Sequence, residues 1–399
     1  MTATRLLIAT AVLLTACQPI ASDPATASPS ISPSPSAQPS VSPSPTAAPS
    51  PTSDPSLAYV FQTRTAGWRP TTPTLMVFEL NPSVHTSAGG TLIAVPLDGS
   101  SPTNLVGLQD TVAAIRPDGG AVAVPSAGGI AIWETSGVTR WIVPPEQTTV
   151  TQSAVWAPDG AHLYFGRVRP IAGADAEDLG IFRVRADGSG LQKIVDGQPP
   201  GQSPPFNHLF SVPRRITPEN ILIWGRAYEG ATIEVLDLAS GRRRTYENGL
   251  GGVGDLVAWR STQPRALIQH CMIGGCRGLV EWNDETGATR RVFSDDVDVR
   301  GADREPGGAR IAVARRSEDW GLDLVEGSSA TRISGTANAQ WPRWLDAGIA
   351  YLWGTQDQGV GITPLTEVRI IPPTGGTPRV LYRASSSEQN LFLIEVVKR

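Results

Sequence analysis

Residues 153–165 read SAVWAPDGAHLYF: a Trp, then Pro-Asp-Gly, then an alternating run that ends in two aromatics. Asp159 and His162 invite reading the stretch as a small polar site. Residues 114–126, AIRPDGGAVAVPS, decide otherwise, because Pro-Asp-Gly recurs there and an alternating strand again follows it. Asp118 is thus the counterpart of Asp159. An Asp-Gly pair between two alternating runs is a hairpin turn: Gly takes a positive φ and Asp caps nearby backbone N–H groups.

The similarity continues past the turn. GIAIWETSG from Gly129 and GIFRVRADGSG from Gly180 give a further strand each, and TRWIV from Thr139 and LQKIV from Leu191 give one more. The same order returns with weaker turns from Arg215, Leu256, Ala302 and Trp341. Six units of roughly forty to fifty residues fall in the range of propeller blades. A seventh is split between the ends of the domain. LAYVFQ from Leu57, TLIAVPLDGS from Thr91 and TNLVG from Thr103 supply three of its strands, and NLFLIEVV (390–397) supplies the fourth. Sharing one blade between the termini removes the free sheet edges. The expected fold is all-β: a β-propeller of seven four-stranded blades, with six and eight as alternative counts, closed by the C-terminal strand pairing into the first blade. TLMVFEL (74–80) then reads as an insertion. Trp156, Trp259 and Trp344 share one repeat position and are expected to pack between blades.

Trp, then Pro-Asp-Gly, then an aromatic-ending strand resembles the WD40-like PD40 repeat of TolB-type β-propellers. The match is sharpest at residues 115–124 and 156–165, while Pro218-Glu219-Asn220 and Asp346-Ala347-Gly348 replace the turn in two later blades. The resemblance implies a propeller that serves as a binding scaffold in the cell envelope, or as a TolB-like component of an envelope complex. A TolB protein has another N-terminal domain where this chain has a spacer.

That spacer follows an export signal. In MTATRLLIATAVLLTAC, Arg5 gives the positive region and residues 6–14 an apolar run too short to span a bilayer as a mature helix. Leu14-Thr15-Ala16-Cys17 resembles a bacterial lipobox, which implies cleavage after Ala16 and a lipid on Cys17. Residues 18–56 are dominated by Pro and Ser, with no apolar period, so they cannot bury enough surface to fold. In polyproline II they would reach about 120 Å. The expected organisation is therefore a signal peptide at 1–16, a lipidated Cys and unfolded Pro/Ser linker at 17–56, and the propeller at 57–399. The expected location is outside the cytoplasm, held by the lipid at the outer face of the cytoplasmic membrane or in the periplasm.

A net charge of −4 argues against a nucleic-acid surface. Cys271 and Cys276 in QHCMIGGCRG form an even pair in an exported domain and read as a disulfide across a hairpin. A zinc site from these two and His270 is the rival, with no second Cys/His cluster to complete it.

Four histidines are present, none in a nucleophile–base arrangement, and no G-x-S-x-G elbow precedes a helix. No catalytic residue, metal or cofactor is expected. The enzyme alternative is a hydrolase or a quinoprotein-like dehydrogenase acting on sugars or peptides, with Asp255 and Asp303 as carboxylates to test. SDDVDVRGADRE (294–305) concentrates carboxylates that could hold calcium, but lacks EF-hand spacing and reads as a solvated loop between blades. The expected binding surface is the channel mouth, formed by Arg214, Arg215, Asp255, Arg300, Trp341 and Arg343. Its arginines suit an anionic ligand or a peptide carboxylate. The expected partner is a protein, peptide or carbohydrate of the envelope, bound by a monomer that touches the membrane only through its lipid.

Overall fold

The computed structural model describes residues 54–80, 89–109, 113–171, 176–197, 210–217, 219–226, 231–246, 253–260, 265–272, 275–354, 364–387 and 389–397. Among them, every regular element but one short helix is a strand, and every strand pair is antiparallel. The strands form six hydrogen-bonded sheets, the largest with seven strands. That sheet is two blades sharing the 16-residue strand Thr289–Arg304. Its residues up to Asp298 pair with Gly275–Asn283, and those from Val299 pair with Ile311–Arg316. Divided there, the ring has seven blades.

Blade 1 holds Asn390–Val397, Thr74–Leu80, Gly90–Pro96 and Thr103–Leu108 in spatial order. Blades 2, 3 and 4 start at Ala114–Ile115, Val150–Trp156 and Phe210–Ile216. Blades 5, 6 and 7 start at Val253–Arg260, the second part of Thr289–Arg304, and Ala339–Leu345. The C-terminal strand closes the ring as the sequence implies, with Val77 opposite Leu393 and Thr74 opposite Val397.

Two expectations are corrected in blade 1. Residues 74–80 are not an insertion but the strand that receives the C-terminal one. Six of its seven residues are buried, as befits a strand covered on both faces. Residues 57–62 do not form an inner strand either. Pro55–Val60 is a helical turn, and Phe61–Arg64 adds a fifth strand at the outer edge. The Asp54 carboxylate accepts from the Ser56 N–H at 2.9 Å, and Pro55 fills a first-turn position that needs no donor. Leu57, Val60 and Phe61 then bury against Leu105, Val124 and Trp133, and Trp141 Nε1 donates to Asp54 Oδ2 at 3.1 Å. This segment straps blade 1 to blade 2.

A third correction concerns residues 294–305. They are not a loop: all but Glu305 belong to the long shared strand. Its carboxylates are engaged separately, Asp298 by Arg277, Asp296 by Ser294 and Glu305 by Arg310.

The core lies between blades. Trp156, Phe165, Ile132 and Leu163 join blades 2 and 3, while Trp344, Tyr351, Leu322 and Ile349 join blades 6 and 7. Trp156 also donates from Nε1 to the Ala114 carbonyl at 3.1 Å, across the blade boundary. Trp259 holds the matching place in blade 5, but its side chain lies outside the described part. The Pro-Asp-Gly turns are structural. Gly119 and Gly160 have φ of 71° and 66°, and Asp118 and Asp159 each accept from a backbone N–H two residues on, at 2.8 Å.

Polar ties reinforce the boundaries. Buried Glu281 of blade 5 accepts from Arg265 at 3.2 Å, from Arg290 at 2.7 Å and from Arg304, which begins the turn of blade 6. Burial alone would raise its carboxyl pKa, but the arginines outweigh it and hold the group below the usual 4.5.

Antiparallel order gives the ring two faces. The Pro-Asp-Gly turns between first and second strands lie on one. The other carries the hairpins between second and third strands and the crossovers between blades.

Three stability outcomes are expected. Trp156→Ala should cost about 3–5 kcal/mol in denaturant unfolding, since it empties a boundary core and strands the Ala114 carbonyl. A chain ending at Gln389 should lose its cooperative thermal transition, whereas one lacking the strap should keep it at a lower Tm. Because Glu281's folded-state pKa is depressed, its contribution is complete above the unfolded pKa and is lost as pH falls through the lower value. Glu281→Gln should therefore flatten the acid limb of the stability–pH curve.

Candidate functional site

First strands contact one another between blades 2 and 3, 3 and 4, 5 and 6, and 6 and 7. All six residues singled out in the sequence lie on these strands. Arg214 and Arg215 are on Phe210–Ile216, Asp255 on Val253–Arg260, Arg300 on Thr289–Arg304, and Trp341 and Arg343 on Ala339–Leu345.

A repeated irregularity underlies them. In six blades the first strand skips register against the second, leaving one or two residues without an opposite number. The skip falls at Gln152 in blade 3, Arg214 in blade 4 and Val257 in blade 5. It falls at Arg300 and Gly301 in blade 6, Trp341 and Pro342 in blade 7, and Ile394 in blade 1. Bulges bend a strand and re-aim the extra side chain, and they concentrate at ligand sites. Three of the six sequence candidates thus occupy bulges, and Arg215 and Arg343 resume the pairing just after them. The side chains of Arg214, Arg215 and Asp255 lie outside the described part.

The described side chains converge on blades 6 and 7. Arg300 is exposed, with its guanidinium carbon 4.6 Å from the centre of the Trp320 ring and Nη1 donating to Gln340 Oε1 at 3.0 Å. Gln340 is itself buried. Arg316 pairs with Trp320 at the mouth of the same hairpin. Burial lowers the Arg300 pKa most; Asp298 raises it and the like charge of Arg316 lowers it again. Neither arginine makes an ion pair among the described residues.

Trp341 is 41% exposed and adopts φ = 50°, a conformation that bulky residues rarely take. Strain of this kind persists where surrounding structure enforces it, often at ligand sites. Here Gly301, at φ = 90°, makes room: a Cβ there would lie 2.8 Å from Trp341 Cε3. The Gly301 N–H donates to buried Gln269 at 3.3 Å. Further around the axis, Phe392 of blade 1 is 49% exposed and Val150 of blade 3 is 45% exposed. Arg343, two residues after Trp341, is half-buried.

The other sequence candidates separate from this corner. Asp303 is buried and accepts from the backbone N–H of Arg304 at 3.0 Å and of Trp344 at 2.8 Å, which ties blade 6 to blade 7. His270 has both ring nitrogens engaged, one 3.1 Å from the Tyr246 hydroxyl and the other 3.0 Å from Asp295. It is therefore spent on a blade 4–blade 5 contact rather than free to bind zinc. Backbone register sets Cys271 opposite Cys276, with Met272 opposite Gly275; residues 273 and 274 lie outside the described part. Among the described residues, no group of three or more potential metal ligands forms.

Sequence reasoning missed Arg316, Trp320, Gln340 and Phe392. One signal was available: Pro213 and Pro342 stand in first strands, where proline is tolerated mainly at bulges. A check on the strained corner follows. Trp341→Gly should leave Tm equal or higher, because it releases the left-handed penalty of about 1–2 kcal/mol. Gly301→Ala, with no room for a Cβ, should lower it.

No protein-family profile matches the sequence, and neither does any curated protein sequence. Solved structures do match in fold. TolB from Acinetobacter baumannii is 15% identical with a TM-score of 0.43, over 64% of this chain and 61% of that one. The acylaminoacyl peptidase of Pyrococcus horikoshii is 12% identical with a TM-score of 0.50, over 77% of this chain and 50% of its own. A prolyl endopeptidase is 11% identical with a TM-score of 0.50, over 80% and 50%. The chain thus spans about half the length of these peptidases and under two thirds of that TolB. The fold is a β-propeller, and the solved structures it resembles include TolB-type proteins.

Proposed function

We propose that this protein is an exported lipoprotein whose propeller binds a protein partner in the cell envelope through its crossover face. The observation that carries this reading is the corner of Arg300 and Trp341. An exposed cation and an exposed, strained aromatic sit side by side on bulged first strands, backed by buried Gln269 and Gln340. Folding alone gains nothing from exposing a Trp in a left-handed conformation. A partner that covers it does.

Binding is favoured over catalysis. Asp303, one of the two carboxylates considered for chemistry, is consumed by backbone donors. Of the carboxylates described near the corner, Asp298 pairs with Arg277, and Glu318 and Asp319 lie exposed on the hairpin that carries Arg316. Likeness to the peptidases speaks to fold alone.

Delivery rests on the sequence. The lipobox-like Leu14-Thr15-Ala16-Cys17 and the Pro/Ser linker suit a lipid anchor and a spacer holding a monomeric domain away from the membrane. No helix among the described residues is long and apolar enough to cross a membrane. The opposed Cys271 and Cys276 suit a disulfide across their hairpin on the crossover face.

Three measurements test these statements. Cys17→Ala should release the protein from membranes into the soluble envelope fraction; unchanged retention would refute the anchor. Thiol titration of the denatured mature protein without reductant should find neither Cys271 nor Cys276 reactive. A photo-crosslinker at position 392 should capture one defined envelope protein in cells, while one at position 306, on the Pro-Asp-Gly face, should not. Equal capture from both positions would overturn the assignment of the face.

A further inference from the structure

We infer that the Arg300–Arg316 corner is a receptor for the free C-terminal carboxylate of a polypeptide whose last residues are apolar. This deepens the binding reading above and rests on it.

Two cations that make no ion pair among the described residues are the starting point. Arg300 and Arg316 are exposed and close enough for one to depress the pKa of the other, and neither makes an ion pair among the described residues. The neighbouring Arg315 pairs with Asp323, Arg332 also pairs with Asp323, and nearby Asp298 is taken by Arg277. Asp298, and the exposed Glu318 and Asp319 on the hairpin between Arg316 and Trp320, leave both guanidiniums without an ion pair, and two like charges so held gain from an anion placed between them.

Arg300 is also pre-positioned. Its stacking on Trp320 and its bond to buried Gln340 fix the plane of the guanidinium while it remains exposed. A fixed planar fork matches a carboxylate in bidentate geometry and loses little entropy on binding.

The surroundings choose the body that bears the carboxylate. Trp341 stands one blade away with an exposed surface, and Phe392 stands exposed on the blade after that. These are apolar contacts on strands around a central axis. They suit the side chains of an extended chain end entering there. A hydroxyl-rich acidic sugar would instead need polar partners along this path, and the exposed groups are aromatic. Capture of a terminal carboxylate is an established mode of peptide recognition.

The test uses the full-length protein in detergent micelles and hexapeptides ending in Phe or Leu, each as free acid and as C-terminal amide. Tryptophan fluorescence and calorimetry read the binding. The free acid should bind at least about tenfold more tightly than the amide, and added salt should narrow the gap. Arg300→Gln and Arg316→Gln should each remove that preference, and Arg316→Gln should do so with the Tm unchanged. Trp341→Gly should weaken both peptide forms. Equal binding of acid and amide, binding of neither, or preference for polygalacturonate over the peptides would each overturn the inference. Its failure is separable from failure of the scaffold reading. If the peptides fail while position 392 still captures one protein, only the carboxylate assignment falls. If the acid binds through both arginines but no protein is captured, the scaffold reading falls alone.

Discussion

The pairing of Asn390–Val397 with Thr74–Leu80 is the contact on which the ring depends. Each blade buries both of its faces, so none is stable without a neighbour on either side, and a seven-membered row would end in two apolar faces exposed to water. Building one blade from both ends of the domain removes those faces and ties closure to the most distant contact in the sequence. The outer strap from Asp54 to Arg64 adds a second hold on the same blade, reaching to Trp141 of the next. Blade 1 is therefore gripped at its inner edge by the C-terminus and at its outer edge by the segment that follows the linker.

Closure leaves the two faces with different freedom. On one, Pro-Asp-Gly turns fix strand spacing through Asp118 and Asp159, and little can change without disturbing register. On the other, the hairpins between second and third strands and the bulged first strands bear less of the packing. A bulge there costs a ladder bond at the axis, where the blade's second and third strands still carry the core. That is why side chains such as Arg300 and Trp341 can be turned outward without opening the ring.

The repeat was legible because its turn chemistry is local: Pro-Asp-Gly and the flanking alternation are written in a dozen residues. What failed to show depends on distance. Residues 74–80 lack a turn motif and belong to a blade whose first strand lies more than three hundred residues away, so they read as an insertion. Residues 294–305 read as a loop because their carboxylates conceal the alternation. Asp298 answers Arg277 on the neighbouring strand, and Asp295 answers His270. The channel strands were placed well enough that Arg300 and Trp341 fall on first strands, at their bulges. Arg316 and Trp320 were missed, because their part in the corner comes from a hairpin folding back toward the bulge.

Strain at Trp341 bears on how the corner evolved its shape. Asn or Gly would hold φ = 50° at little cost, and Gly301 next door shows that glycine is used where close approach demands it. Retaining Trp there keeps a broad aromatic surface in the open at the expense of stability. The strained residue sits in the bulge formed by Trp341 and Pro342, and the proline ring restricts the residue before it. Trp344, three residues on, is the aromatic that packs in the blade boundary, while Trp341 stays exposed. A residue held outward by its own backbone is ready to be covered without reorganising, and contact with a partner can then be made with little further loss of conformational freedom.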